Sequence, residues 1–508
     1  MILEGADIRG DVRERCDVLV IGSGGGGGPF AYQMAKAGLS VVVVEAGGYH
    51  TSADFSEREG DMTRKLYVEG GAQGVDDGSL PIFQGKCVGG STVINGMICF
   101  RPPEWVLDRW AREHGVSGLS MREFLPSIEE VEGIVHAKEN GPHEINRANR
   151  LLMEGAGKLG WHAAPVHRNV TDCILSGFCQ LGCAYDRKRS VLVTFIPLAC
   201  ELGARLYADA TVERITAEGG RATGAIARVR DRRTGKRSGR LHIDAKIVAV
   251  AAGAIQTPCL LERSGMGGPA GVLGEHFSVH PSTVVTGVFD ERLEAWHGAA
   301  HGAYSGAFHS HDKGGFLIEG INVWPIGTSL FVGQMGRAHR ELMEQYPHMA
   351  SSVSIVHDEG LGSVHYDEGR RKARIRYRLD EDHERRIKAS IERMAELWFA
   401  AGARRVVTQF TNPLILESPD EIAKVGARSA GPHALDVASY HPMGTARMGG
   451  DPTRSYVRPT GECHGVRNLF VVDTSAFPTS VDVNPQITVM SLATHFAKGI
   501  LAERSRYF

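Results

Sequence analysis

An α/β fold in two parts follows from three features of the sequence. A strand, a glycine-rich turn, a helix and a second strand run in order from Cys16 to Gly48. Apolar and charged residues alternate from Ala373 to Leu379, and apolar residues then recur at helical spacing from Ile387 to Trp398. The chain, at 508 residues, exceeds what one hydrophobic core usually serves. The first feature predicts a parallel sheet covered by helices, and the second an antiparallel sheet covered by helices on one face.

In CDVLVIGSGGGGGPFAYQMAKAGLSVVVVEAGG, the apolar run Val18 to Ile21 reads as a buried strand that breaks at Gly22. A helix is predicted from about Pro29 to Ala37, capped by Gly38, and a second strand over Val41 to Val44 ends in Glu45. Gly22, Gly24 and Gly27 stand at G-x-G-x-x-G spacing. Without side chains at these positions, backbone N–H groups and the helix N-terminus can meet a dinucleotide pyrophosphate. Glu45 stands where a carboxylate accepts the adenosine ribose hydroxyls. The unit is therefore Rossmann-like, and its motif alone does not separate FAD from NAD.

Composition narrows the partners. Formal net charge is -2, hydrophobic residues make up 42%, and no stretch concentrates five like charges, so small-molecule chemistry is expected rather than nucleic-acid or anionic-membrane binding. The first residues show no apolar leader core, and no apolar run reaches the ~18 residues of a membrane span. Nine scattered cysteines do not form a secreted disulfide framework, which predicts a reducing, cytoplasmic setting.

GKCVGGSTVINGMICFRPP, from Gly85, is a second glycine turn. Gly89 and Gly90 can donate from backbone, Ser91 and Thr92 carry hydroxyls, and Asn95 carries an amide that could point at ring or ribityl atoms of a planar cofactor. GAIQTPCLLERSGMG, residues 253 to 267, follows the apolar run Ile247 to Ala252 and reads as strand, turn and helix. Near the C-terminus come SYHPMGTARMG, a buried strand ending in Asp473, and NPQIT opening a last helix.

These segments, in this order, closely resemble the glucose-methanol-choline (GMC) flavoprotein oxidoreductases. The resemblance implies a GMC fold with bound FAD, in which a discontinuous FAD-binding domain (1–100, 186–292 and 436–508) joins a substrate-binding domain (293–435), with a lid and cysteine loop over 101–185. It further implies hydride transfer from an alcohol to the flavin. His441 matches the catalytic histidine and Asn484 its partner, while Asp473, Val212 and Pro485 fall at cofactor-binding positions. Imidazole suits the task because an alcohol yields hydride only as its hydroxyl proton departs. The amide of Asn484 can orient that hydroxyl. Covalently flavinylated members carry histidine immediately before the signature asparagine; Ile94 stands there in this chain, so the FAD is expected to be non-covalent. Two other readings stay open, a hydroxynitrile-lyase-type enzyme with structural FAD and a non-catalytic FAD-binding subunit.

In the substrate half, Ala373, Ile375, Tyr377 and Leu379 predict a strand with one wet face, with companions at Val353, Ile355 and at Val364, Tyr366. A helix through Ile387, Ile391, Met394, Leu397 and Trp398 should stop at Gly402. His297, His301, His309 and His311 cluster in sequence without a local carboxylate, which predicts a solvated loop rather than a metal site. Trp324 and Phe331 are candidates for the pocket wall.

DCILSGFCQLGCAY sets Cys173, Cys179 and Cys183 at C-x5-C-x3-C. In the branch resembling bacterial FAD-dependent glucose dehydrogenases, this spacing holds a 3Fe-4S cluster; long-chain alcohol oxidases have a similar stretch, matched by Gly177, Cys179, Gly182, Cys183, Lys188 and Ser190, in which the thiols need only pack. The first reading implies a quinone or cytochrome as electron acceptor and an escort or electron-transfer subunit able to carry the chain to the periplasm; the second implies oxygen or another direct acceptor.

Overall fold

The computed structural model describes residues 1–268 and 271–508. Its larger sheet runs in the order Ile2–Leu3, Arg205–Tyr207, Val41–Val44, Val12–Ile21, Arg237–Val250, Arg221–Arg230, Ala210–Glu218, with Leu469–Val471 also beside Arg237–Val250. Arg237–Val250 serves two neighbours on one edge. Its first half pairs antiparallel with Arg221–Arg230, and its last residues pair parallel with Leu469–Val471. Val18, Leu19, Val20 and Val41 to Val44 are almost fully buried, as strands covered on both faces require.

The predicted strand–helix–strand unit is present, with extended bounds. The first strand spans Val12–Ile21 because its polar half pairs in register with Leu241 to Ala245, a partner no local pattern reveals. The helix spans Gly27–Lys36. Val12–Ile21 lies between Val41–Val44 and Arg237–Val250, parallel to both, so Gly22 emerges at the point where the strand order reverses. Open α/β sheets bind ligands at that point.

The second sheet is antiparallel throughout, in the order Ile415–Leu416, Arg405–Thr408, Val284–Val288, Met349–Val356, Phe316–Ile321, Ala303–Ser305, Ala163–Pro165. It thus takes in Val284–Val288 and Ala163–Pro165, both outside the 293–435 expected for it. Helices Arg147–Lys158 and Glu381–Ala401 pack on each other and on this sheet. Ile387, Ile391, Met394, Leu397 and Trp398 are fully buried, and the longer helix ends at Gly402, whose φ of 104° suits glycine.

The alternating stretch at 373–379 forms a strand only over Lys372–Arg376. It pairs with Ser363–Asp367 alone, as a ribbon packed against helix Gly253–Arg263. Alternation reports one wet and one dry face, not which element supplies the dry side. Val353 and Ile355 belong to the main sheet instead. Among the described residues, no helix is long and apolar enough to cross a membrane.

Candidate active site

Each glycine of the first turn has its own steric reason. A Cβ on Gly27 would stand 1.9 Å from Gly22 O, and one on Gly22, whose φ is +101°, 2.2 Å from Ala251 O. These two hold the helix and the neighbouring strand against the turn. Gly24 differs, because a Cβ there would meet only Gly90 Cα, at 3.6 Å. The second turn lies directly opposite: a Cβ on Gly90, at φ +55°, would stand 2.8 Å from Gly24 Cα. Helix Gly27–Lys36 starts without a side-chain cap, which leaves its first N–H groups for an anion.

Glu45 is buried at the end of its strand. Its Oε2 accepts from Ser23 N (3.0 Å) and Ser23 Oγ (2.8 Å), and its Oε1 from Gly47 N (2.8 Å), with capacity left for a ribose hydroxyl. Ser23 Oγ also accepts from Gly89 N (3.1 Å) and so ties the acid to the second turn. An uncapped helix start, two facing glycine turns and an incompletely filled carboxylate together fit the adenosine-pyrophosphate half of FAD.

The other expected cofactor residues are placed less uniformly. Ser91 Oγ accepts from Gly85 N (3.0 Å) and so closes its own loop. Asn95 was expected to aim at the cofactor; its amide donates to Gln486 instead, because the N-terminus of the last helix, Gln486–Ala502, comes up against the loop there. Pro485 is the N-cap of that helix. Asp473 accepts from Gly253 N (2.8 Å), Thr257 Oγ1 (2.7 Å), Ser475 N (2.8 Å) and Ser475 Oγ, so it organises the second βα turn with every acceptor position engaged. Val212 O accepts from Arg263 Nη2 at 2.6 Å.

The cysteine loop is tied to the second glycine turn by Lys188, whose buried ammonium donates to Val93 O (2.9 Å), Asn95 O (2.7 Å) and Cys179 O (3.0 Å). Burial pushes its pKa down to about 8. Cys173, Cys179 and Cys183 are all free and partly buried. Phe178 stacks on the buried Trp324, with ring centroids 6.0 Å apart, which places Trp324 against this loop.

Asn484 borders two buried polar residues, Glu319 and His301, and His301 in turn lies near His441. Burial, and secondarily the nearby His301, push the His441 pKa down to about 3, so the imidazole is neutral. Asn484 Nδ2 lies 3.5 Å from Glu319 Oε2, and His301 Nδ1 lies 4.0 Å from the same oxygen. Among the described residues, Glu319 Oε1, Asn484 Oδ1 and His301 Nδ1 have no hydrogen-bond partner. Behind His441, its Nδ1 is 3.1 Å from His280 Nδ1, and His280 Nε2 is 2.6 Å from Ser480 Oγ. Ser480 Oγ donates to Asp482 Oδ1 at 2.9 Å.

The histidine-rich stretch is the solvated loop expected only in part, since His297 and His311 are exposed. His301 is buried, His309 meets Asp482 O (3.0 Å), and His311 Nε2 lies 3.2 Å from Asp482 Oδ2. The carboxylate missing from the local sequence comes from the C-terminal segment. His357 Nδ1 faces the same oxygen at 3.6 Å. Burial alone would raise the Asp482 carboxyl, but His357, His311 and His280 outweigh it and hold the group well below the usual carboxylate range. Sequence reasoning missed Ser23, His280, Glu319, Ser480 and Asp482, and the only local signal for any of them was nearness to a motif.

Glu319 carries a pH prediction. Burial pushes its pKa from 4.5 up to about 8. Between those values the carboxyl is protonated in the fold and ionised in the unfolded chain, so unfolding releases a proton and stability falls as pH rises through that window. Glu319→Gln, neutral at every pH, should therefore melt higher than the parent near pH 8, with the difference vanishing below about pH 4.5. A parallel pH dependence of melting in the two proteins would contradict the assignment.

Fold and site together define an FAD-dependent oxidoreductase. The comparisons give the family: the GMC oxidoreductase models match residues 63–282 and 358–493, and an FAD-binding domain model matches 17–57. An uncharacterized GMC-type oxidoreductase of Mycobacterium tuberculosis is 35% identical over 492 residues, 96% of this chain and 76% of that one. A long-chain-alcohol oxidase of Arabidopsis thaliana is 29% identical, over 95% of this chain and 67% of that one. The crystal structure of pyridoxine 4-oxidase from Mesorbium loti superposes with a TM-score of 0.71 at 18% identity, covering 96% of this chain and 99% of that one, which shows the shared fold. The chain belongs to the GMC oxidoreductase family.

Proposed function

We propose that this protein oxidises an alcohol to the aldehyde or ketone, with His441 as general base and oxygen as electron acceptor. The observation that carries the reading is the set of unpartnered polar atoms on Asn484, Glu319 and His301, grouped near a neutral histidine. Buried polar atoms are rarely left without a partner, and a substrate hydroxyl supplies one. The two glycine turns and Glu45 would hold FAD, which would supply the acceptor for the hydride leaving the alcohol carbon.

His441 receives the hydroxyl proton, which a neutral imidazole can do and an imidazolium cannot. Asn484 offers an unpaired carbonyl oxygen and an amide nitrogen only loosely shared with Glu319, and orients the hydroxyl toward the base. Glu319, uncharged near neutral pH, adds no negative charge to oppose the departing proton. The FAD is held without a covalent bond, since Ile94 precedes Asn95.

Oxygen is favoured as acceptor by the long-chain-alcohol oxidase relative, and the cysteine loop is read as a wall of the site. Lys188 clamps that loop to the glycine turn, and Gly177, at φ +86°, packs so tightly that a Cβ there would stand 1.9 Å from Trp296 O. With primary alcohols in air, peroxide and aldehyde should form in equal amounts in protein free of iron and labile sulfide. Stoichiometric iron with no peroxide would overturn both the acceptor and the wall, and would restore a 3Fe-4S cluster on Cys173, Cys179 and Cys183.

A further inference from the structure

The geometry points to a hydrogen-bonded relay, Asp482–Ser480–His280–His441, that keeps the His441 proton on Nδ1 and presents a bare Nε2 to the alcohol. The inference rests on the reading of His441 as the base and assigns its supports, His280, Ser480 and Asp482, as positioning residues.

The direction of every bond follows from its anionic end. A carboxylate only accepts, so the Ser480 hydroxyl donates to Asp482 Oδ1 (2.9 Å). The single Ser480 proton is then committed, and Ser480 Oγ accepts both from Asp482 N (3.2 Å) and from His280 Nε2, at 2.6 Å. With its proton on Nε2, neutral His280 has a lone pair on Nδ1. The His441 nitrogen 3.1 Å away, Nδ1, must therefore carry a proton and donate it, leaving Nε2 unprotonated. The two rings meet edge to face, with 86° between their planes.

The relay is built at a conformational cost. His280, at φ +50°, and Asp482, at φ +60°, both adopt left-handed backbone, uncommon for residues other than glycine, and both are buried. Asp482 also lies against His311 and His357, which favour its charged form. When the alcohol O–H breaks, its electron pair stays on oxygen and its proton bonds to His441 Nε2. The positive charge gained is balanced along the hydrogen bonds by Asp482, much as a buried carboxylate steadies a catalytic histidine elsewhere.

Two measurements on the FAD-loaded protein test this. Nitrogen-15 NMR of histidine-labelled protein should show neutral His441 protonated on Nδ1 and His280 on Nε2. In Asp482→Asn and Ser480→Ala the His441 tautomer should mix or invert, and anaerobic flavin reduction by alcohol should slow roughly 10- to 100-fold at unchanged substrate affinity. His441 protonated on Nε2 in the parent protein would overturn the relay even if neither variant folds. Unchanged tautomers and rates in folded variants would also overturn it. His441→Asn separates the two readings: if it reduces flavin at the parental rate, the base assignment fails; if it is slow while the variants are unaffected, only the relay fails.

Discussion

Replacing His441 with Asn is expected to leave FAD bound and to slow flavin reduction by alcohol roughly 10²- to 10⁴-fold, the usual worth of a positioned general base. Asparagine keeps a polar group in the space but cannot take up a proton near neutral pH. Because burial holds the His441 pKa near 3, the parental rate constant should stay flat as pH falls from 8 to 6. A base with an ordinary histidine pKa of about 6.5 would lose half its competent form within that range. Rapid-mixing measurements across pH check both, and a rate that falls through pH 6.5 would contradict the burial argument.

The second large effect is expected at the first glycine turn, where two substitutions of the same size should behave differently. Gly27→Ala places a methyl group 1.9 Å from Gly22 O, and since both partners belong to the turn's own framework, helix and strand must separate. The protein should lose about 1–3 kcal/mol of stability and be purified largely without flavin. Gly24→Ala meets only Gly90 Cα at 3.6 Å. It should melt like the parent once both are stripped of flavin, while binding FAD more weakly, because the methyl occupies the face left open to the pyrophosphate. Equal melting losses in the two stripped variants would mean that Gly24 is a packing position instead.

Local signals predicted much of this architecture. Val41 to Val44 could only be a buried strand, and the stop at Gly402 and the helix after Pro485 were both readable from residue type. The alternation at 373–379 was sound as a local pattern and misleading about partners, since the residues pair with a ribbon rather than with the main sheet. His441 and Asn484 stood out through their motifs. The groups around them did not, because their roles arise from contacts across the chain: His280 meets His441 from 161 positions away, and Asn484 meets Glu319 from 165. A buried glutamate on an apolar strand gives no hint in sequence that it stays protonated. The contacts of His309 and of the exposed His311 with Asp482 were hidden because that residue lies in a different segment.

Alcohol oxidation by the flavin is read out by mixing the FAD-loaded protein with primary alcohols in the absence of oxygen and following the flavin band. The band should bleach on mixing, one aldehyde should form per flavin, and colour should return with peroxide when air is admitted. A band that persists against every alcohol tried, in protein with stoichiometric FAD, would contradict that oxidation.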